Sequence, residues 1–327
     1  MPTEESPAMD KVRLALIGAG GMANAVHYPS LAEFEEVEMA ALCDLVPDKL
    51  HATADRFGIE KRYTDYRQML EEAQPHAVYI LMPPHHLFDL VIHSLERGLH
   101  VFIEKPPGVT TEQTRQMALL AEKRACLTMV GFQRRHIPIV RLLRGLVEER
   151  GPLTQAVCTF YKNAIGAPPY YGGATDILTC DAIHAVDFLR WACGEVKRVA
   201  SDVRSLYADY ANSFNALMTF ESGATGVLLT NWTVGRRFFT FEMHSKGASA
   251  LCDPDDKGHF YADNDLQGRH FDARELAGGE ELRVYYGFRD ENRHFIDCLK
   301  SGAQPTSCFA DAVKTMELVD RIYRSQL

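Results

Sequence analysis

The sequence is poor in tryptophan (2 of 327 residues), has no paired-cysteine motif, carries no long apolar run and has no surplus of basic residues. Each shortage excludes something. With 35 Lys and Arg against 44 Asp and Glu, the formal charge is −9. Such a surface repels a phosphate backbone, so nucleic acid is not expected as a partner. The eight cysteines, Cys43, Cys126, Cys158, Cys180, Cys193, Cys252, Cys298 and Cys308, form no CxxC pair and no cluster with histidine. That spacing argues against a disulfide framework and a zinc site, and no metal is expected. Scattered thiols in a chain this long read as reduced side chains of a cytoplasmic protein. The longest apolar stretch, Ala77 to Met82, is far too short to cross a bilayer. The opening MPTEESPAMDK holds no apolar signal core. Neither membrane nor secretion is expected.

What is present is an ordinary globular balance, 46% hydrophobic and 24% charged, in a chain long enough for two domains. Residues 1–10 read as a mobile tail. From there apolar runs alternate with helical patterns: Val12–Gly18, Val37–Cys43, Ala77–Met82, His100–Ile103 and Leu127–Gly131 as strands, with helices over Met22–Phe34, Pro47–Phe57, Leu87–Arg97 and Thr111–Arg124. This alternation predicts a parallel sheet covered by helices on both faces, an α/β Rossmann domain over 11–134. Past about residue 134 the pattern changes. Asn215–Phe220 and Gly226–Trp232 flank a turn and read as antiparallel strands, with Val157–Lys162 and Phe238–His244 as further strands. Helices are expected over Arg289–Lys300 and Ala310–Tyr323. Residues 135–327 thus predict an α+β domain with a large, mostly antiparallel, open-faced sheet.

The first strand ends in Gly18-Ala19-Gly20-Gly21-Met22-Ala23, a G-x-G-x-x-A pattern. Gly18 permits the tight turn, Gly20 lets the backbone approach a pyrophosphate, and small Ala23 lets helix pack on strand. The helix N-terminus that follows offers N–H groups to the phosphates. Asp44 stands 21 residues after Ala23, at the end of the second strand. A carboxylate there accepts ribose hydroxyls and repels the extra phosphate of NADP. Leu45 and Val46 follow, with no Arg or Ser in the immediate loop, so NAD is favoured over NADP.

Further on, Ala77-Val78-Tyr79-Ile80-Leu81-Met82-Pro83-Pro84-His85 and His100-Val101-Phe102-Ile103-Glu104-Lys105-Pro106 join Gly131-Phe132-Gln133-Arg134-Arg135 and the H-x-x-D pair His184 and Asp187. Together with the glycine loop and Asp44, this order resembles the Gfo/Idh/MocA family, relatives of glucose–fructose oxidoreductase and inositol dehydrogenase, from Val12 onward. The resemblance implies a dinucleotide held by Gly18, Gly20, Gly21, Met22, Ala23, Asp44, Leu81, Pro83, His85, Glu104, Lys105 and Gln133, with His85 near the nicotinamide. It also implies a frequently cis bond before Pro106.

Lys105 would stand at the carboxyl end of a parallel strand, where open α/β sheets bind ligands. An ammonium there can orient a substrate hydroxyl and stabilise a developing alkoxide. In the second half, a helix from about Thr179 to Ala192 would place Asp181, His184 and Asp187 at successive three-residue steps on neighbouring faces. Imidazole is the natural base near neutral pH, and a carboxylate one turn away can fix its tautomer. His184 is thus the expected acid–base residue, tuned by Asp187 and Asp181. Many relatives carry Asp four residues before this His; here that position is Cys180, and Asp181 takes over through a small helical rotation or the usual aspartate is missing.

Tyr161, Asn163, Tyr171, Trp232 and Arg236, with Tyr170 and Arg237, are the expected substrate-side residues, since rings stack on sugars and Arg clamps anions. Apolar residues on both faces of the second sheet, Leu217 against Met218 and Val227 against Leu228, predict a homodimer or homotetramer through that sheet. The expected reaction is NAD-dependent hydride transfer to or from a secondary hydroxyl of a sugar, polyol or related compound. An NAD-dependent glycosidase or lyase working by transient oxidation and a non-catalytic dinucleotide-binding regulator are the rival readings.

Overall fold

The apolar runs of the first half become strands because each is too short for a stable helix and is bounded by Gly, Pro or a cap. The computed structural model describes residues 11–327, so the expected tail over 1–10 lies outside the described residues. Strands β1 (Val12–Ile17), β2 (Val37–Cys43), β3 (Arg62–Tyr63), β4 (Ala77–Ile80), β5 (His100–Ile103) and β6 (Thr128–Val130) form an all-parallel sheet in the order β3-β2-β1-β4-β5-β6. This is the doubly wound arrangement, whose strand order reverses between β1 and β4. Leu14, Leu16, Tyr79 and Phe102 are fully buried in its core.

Two local features depart from expectation. The helix predicted over Met22–Phe34 ends at Leu31, and its first part, Ala23–His27, is a π-helical turn in which the Tyr28 N–H reaches back to the Ala23 carbonyl. Pro29 follows and has no N–H to continue an α-helical ladder, so the wider turn forfeits little. The short β3 and the helix Tyr66–Ala73 carried no strong periodic signal. That helix is started by Asp65, whose carboxylate accepts the Arg67 N–H at 2.8 Å.

The second sheet contains β7 (Gln155–Asn163), β8 (Val196–Arg204), β9 (Ser213–Phe220), β10 (Thr225–Asn231), β11 (Thr233–Ser245), β12 (Ala248–Cys252), β13 (Lys257–Ala262) and β14 (Arg269–Asp272). Its order is β14-β13-β12-β11-β7-β10-β9-β8, antiparallel except where β10 runs parallel to β7. One face is covered by the helices Pro138–Glu148 and Ile183–Cys193. There Phe188 packs on Phe239 and Phe241. The other face carries half-buried and exposed side chains, as the alternation along β9 and β10 shows.

The chain folds as two compact units that are not contiguous in sequence. The first takes the residues through Pro107, Arg115–Gly131 and Glu291–Ala310; the second takes Gly108–Thr114, Phe132–Asp290 and Asp311–Leu327. A single division after residue 134 is therefore too simple. Phe295, Ile296 and Leu299 complete the core of the first unit. Ser307 bonds Val130 there through both its carbonyl and its hydroxyl.

Candidate functional site

In the first unit the functional side chains collect at the carboxyl ends of the parallel strands. Gly18 ends β1 with φ 104°, and a Cβ there would stand 2.5 Å from the Leu81 carbonyl oxygen. Only glycine fits. The buried Tyr28 hydroxyl donates to the Gly18 carbonyl at 2.5 Å and steadies the turn. Gly20 and Gly21 are exposed, and a Cβ on either would meet nothing within 4 Å. Asp44, just past β2, accepts the Ala19 N–H at 2.7 Å and the Val46 N–H at 2.8 Å. One carboxylate thus ties the glycine loop to the second strand while keeping lone pairs for ribose hydroxyls.

A cavity of about 340 Å³ opens beside Asp44, lined among others by Ile17, Tyr66, Arg67, Met82 and His85. His85, expected near the nicotinamide, belongs to this cavity on the Asp44 side. Arg67, whose guanidinium lies 4.7 Å from the Tyr66 ring centroid, went unnoticed in the sequence because it arrives from beyond the loop that follows Asp44. Cys43 also lines the cavity, and burial pushes its thiol up to about 12, so it stays neutral. The open glycine cradle, the carboxylate and the largely apolar cavity fit a dinucleotide, with Leu81 backing the glycine turn and Pro83 half-buried after β4.

Glu104 and Lys105 follow β5, and the Lys105–Pro106 bond is cis. The Glu104 carboxylate accepts the Lys105 N–H at 2.9 Å and meets His27 Nε2 at 2.8 Å. Burial pushes this carboxyl up, but the His27 hydrogen bond and the charges of His27 and Lys105 outweigh it, and Glu104 is held below its ordinary range. His27 therefore has a specific partner at the strand end carrying Lys105, a role its place on the first helix gave no hint of.

In the second unit, Asp181 and His184 lie on a helical segment that begins with a π turn, Leu178–Ala182, and continues as the helix Ile183–Cys193. Such turns recur at functional sites. Both side chains are buried, at 7% and 6% exposure. The Asp181 carboxylate accepts the Tyr170 hydroxyl at 2.7 Å and pairs with Lys162 of β7. Burial and the Asp181 charge push the Tyr170 phenol up, so it remains a donor. Trp232 Nε1 lies 3.4 Å from the Tyr170 oxygen.

Asp187, expected to tune His184, has other partners of its own. It receives Arg135 Nε at 2.8 Å and Nη2 at 2.5 Å, and the Thr315 hydroxyl at 2.9 Å. At 1% exposure it is a packing and ion-pair residue. The expected substrate residues take different environments. Strand alternation turns Phe160 and Lys162 to the helix-covered face, and Tyr161 to the opposite one. Arg236 likewise stacks 4.0 Å from the Phe238 ring, Phe238 being the cross-strand partner of Tyr161. Trp232 is 1% exposed, packs on Phe160 and turns its Nε1 to Tyr170. Asn163 is exposed at the end of β7, and Tyr171 is 47% exposed with φ 51°. Gln133 opens a short 3-10 turn, Gln133–His136, and is buried in the second unit. Sequence reasoning missed Lys162 as the partner of Asp181; a lone lysine at a strand end gives no local signal of a carboxylate on a later helix.

Comparison with known proteins agrees with this anatomy. Residues 12–132 match the model of an oxidoreductase family with an NAD-binding Rossmann fold, and residues 151–250 match the GFO/IDH/MocA C-terminal domain. The rhizopine catabolism protein MocA of Rhizobium meliloti is 29% identical over 239 residues, 70% of this chain and 73% of its own length. The myo-inositol 2-dehydrogenase of Thermotoga maritima is 24% identical over 311 residues, 90% of each chain. A levoglucosan dehydrogenase solved with NADH and levoglucosan superimposes with a TM-score of 0.85 at 21% identity, over 96% of this chain and 97% of its own, a likeness of fold. The glycine turn, the Asp44 carboxylate, the lysine ahead of a cis proline and the two matched domain models place this chain in the Gfo/Idh/MocA oxidoreductase family.

Proposed function

We propose that the protein is an NAD-dependent dehydrogenase acting on a secondary hydroxyl, or the matching carbonyl, of a sugar, polyol or related hydroxylated compound. The observation that carries this reading is the address of Lys105: it follows β5 in the same sheet whose β1 and β2 ends present Gly18 and Asp44. Relatives named as inositol, apiose and levoglucosan dehydrogenases support the substrate class. Bound NAD supplies the hydride acceptor, or the donor in reduction. Asp44 holds the ribose, and the open backbone at Gly20 and Gly21 receives the pyrophosphate. Lys105 orients the reacting oxygen and stabilises the charge that develops on it. His184 takes the hydroxyl proton, or returns it in the reverse direction. Asp181, steadied by Tyr170 and Lys162, holds an adjacent hydroxyl or the imidazole.

The same reading extends to assembly and setting. Leu217 is 54% exposed and Leu251 37% exposed on the strands of the second sheet, which supports a homodimer or homotetramer formed through it. The eight cysteines are all free, which supports a cytoplasmic enzyme.

The test uses NADH absorbance with a sugar and polyol panel. Lys105→Ala and His184→Ala are each expected to cut turnover by at least about a hundredfold while NADH, followed by its fluorescence, still binds. Undiminished turnover in either variant refutes the assignment.

A further inference from the structure

Three cations converge on one aromatic ring in the second unit. The Phe160 centroid lies 4.7 Å from the Arg134 guanidinium carbon, 5.1 Å from the Lys162 ammonium and 5.9 Å from the Arg237 guanidinium carbon. Two of the three have carboxylate partners, Lys162 with Asp181 and Arg237 with Asp255. Arg237 also donates to the Tyr286 hydroxyl at 2.5 Å.

Arg134 differs. It is 4% exposed, and its Nε and Nη1 are buried without a hydrogen-bond partner. Its guanidinium also lies 4.1 Å from the Phe239 ring centroid. Ring faces are the negative poles of aromatic quadrupoles and offset part of the cost of burying this cation. They leave its N–H groups unmet, and unmet buried donors attached to a charge are expensive. Counting the cluster, three positive groups face two carboxylates. The surplus is one positive charge, and it sits on the buried side chain.

We propose that this cluster is an anion subsite and that the substrate is a hydroxy acid, a polyhydroxylated compound whose carboxylate pairs with Arg134. The proposal deepens the hydride-transfer reading and rests on it for the chemistry at the hydroxyl. Lys162 links the two functions: it faces the same Phe160 ring as Arg134, and its partner Asp181 stands three residues before His184 on one helical segment. A planar guanidinium fork matches a carboxylate. A phosphate monoester, carrying roughly −1.5 to −2 near neutral pH, overshoots a surplus of one. A neutral sugar offers hydroxyl oxygens to the Arg134 N–H groups but leaves its charge unpaired.

The experiment titrates the NADH-loaded protein with matched pairs, following NADH fluorescence: glucose against glucuronate and gluconate, galactose against galacturonate, with glucose 6-phosphate as a further arm. At least one sugar acid is expected to bind at least about tenfold more tightly than its neutral counterpart, the scale of a charged hydrogen bond. Arg134→Gln is expected to erase that preference while NADH affinity holds. Should Arg134→Gln fail to fold, Arg237→Gln, whose side chain is 41% exposed, is expected to weaken the same preference several-fold. Equal or tighter binding of the neutral sugars, a preference for the phosphate, or an unchanged preference in the variants overturns the proposal. Preferred binding of acids that yield no NADH when they are offered to the protein with NAD instead leaves the subsite standing and counts against the dehydrogenase reading alone.

Discussion

At the carboxyl ends of β1 and β2 the working parts are mostly backbone: a glycine forced to φ 104°, two exposed glycines, and one aspartate bonded to two backbone N–H groups. On the helical segment of the second unit the carboxylates are held by other side chains, Asp181 by Tyr170 and Lys162, and Asp187 by Arg135 and Thr315. In the proposed function the first arrangement holds the cofactor, and its geometry is set by local chain conformation. In the same proposal the second meets the substrate, and its geometry is set by partners gathered from distant segments.

Three substitutions probe that contrast. The largest effect belongs to Asp187→Ala, which takes one carboxylate from the 3% exposed Arg135 side chain and leaves it Asp311. Breaking a buried ion pair from one side costs about 3–5 kcal/mol, to be read by denaturant unfolding, with NADH affinity unchanged. A normal unfolding midpoint with collapsed turnover would return Asp187 to a catalytic role. Next comes Gly18→Ala. Its Cβ would press on the Leu81 backbone in a left-handed conformation, so a loss of roughly 1–3 kcal/mol in stability is expected, together with weaker NADH binding by fluorescence titration. Unaltered NADH affinity would mean the turn is not the phosphate cradle. The smallest is Asp44→Asn. NADH affinity should fall about tenfold, and discrimination against NADPH should shrink, because the repelling charge is gone. Arg67 in the same cavity makes the NADPH gain the sharper reading; unchanged selectivity would move the ribose contact elsewhere.

The parallel sheet, the glycine turn and the Asp44 address were legible because each depends on a few neighbouring residues. Apolar runs of strand length, a G-x-G pattern after one of them and an acid at the end of the next need no knowledge of the rest of the chain. The second sheet was legible in part. The hairpin of β9 and β10 showed through its turn and its alternation. The parallel pairing of β10 with β7 did not, because it joins segments some seventy residues apart with no local cue. The faces taken by Tyr161 and Arg236 were not legible for a simpler reason: along a strand, a shift of one residue exchanges the covered face for the open one. The noncontiguous units were hidden as well, since nothing in Glu291–Ala310 announces that Phe295 and Leu299 fill the core begun by Val12.

Short-range rules of φ, periodicity and capping act over a turn or a strand, so the order of elements, the glycine loop and the position of Lys105 ahead of Pro106 could be read directly from the residues. Which carboxylate serves the helix and which serves the fold could not. Arg135 reaches Asp187 across 52 positions and Asp311 across 176, and Lys162 reaches Asp181 from another element. Charges choose partners by distance in space and by the shelter of burial, and both exist only once the chain has packed.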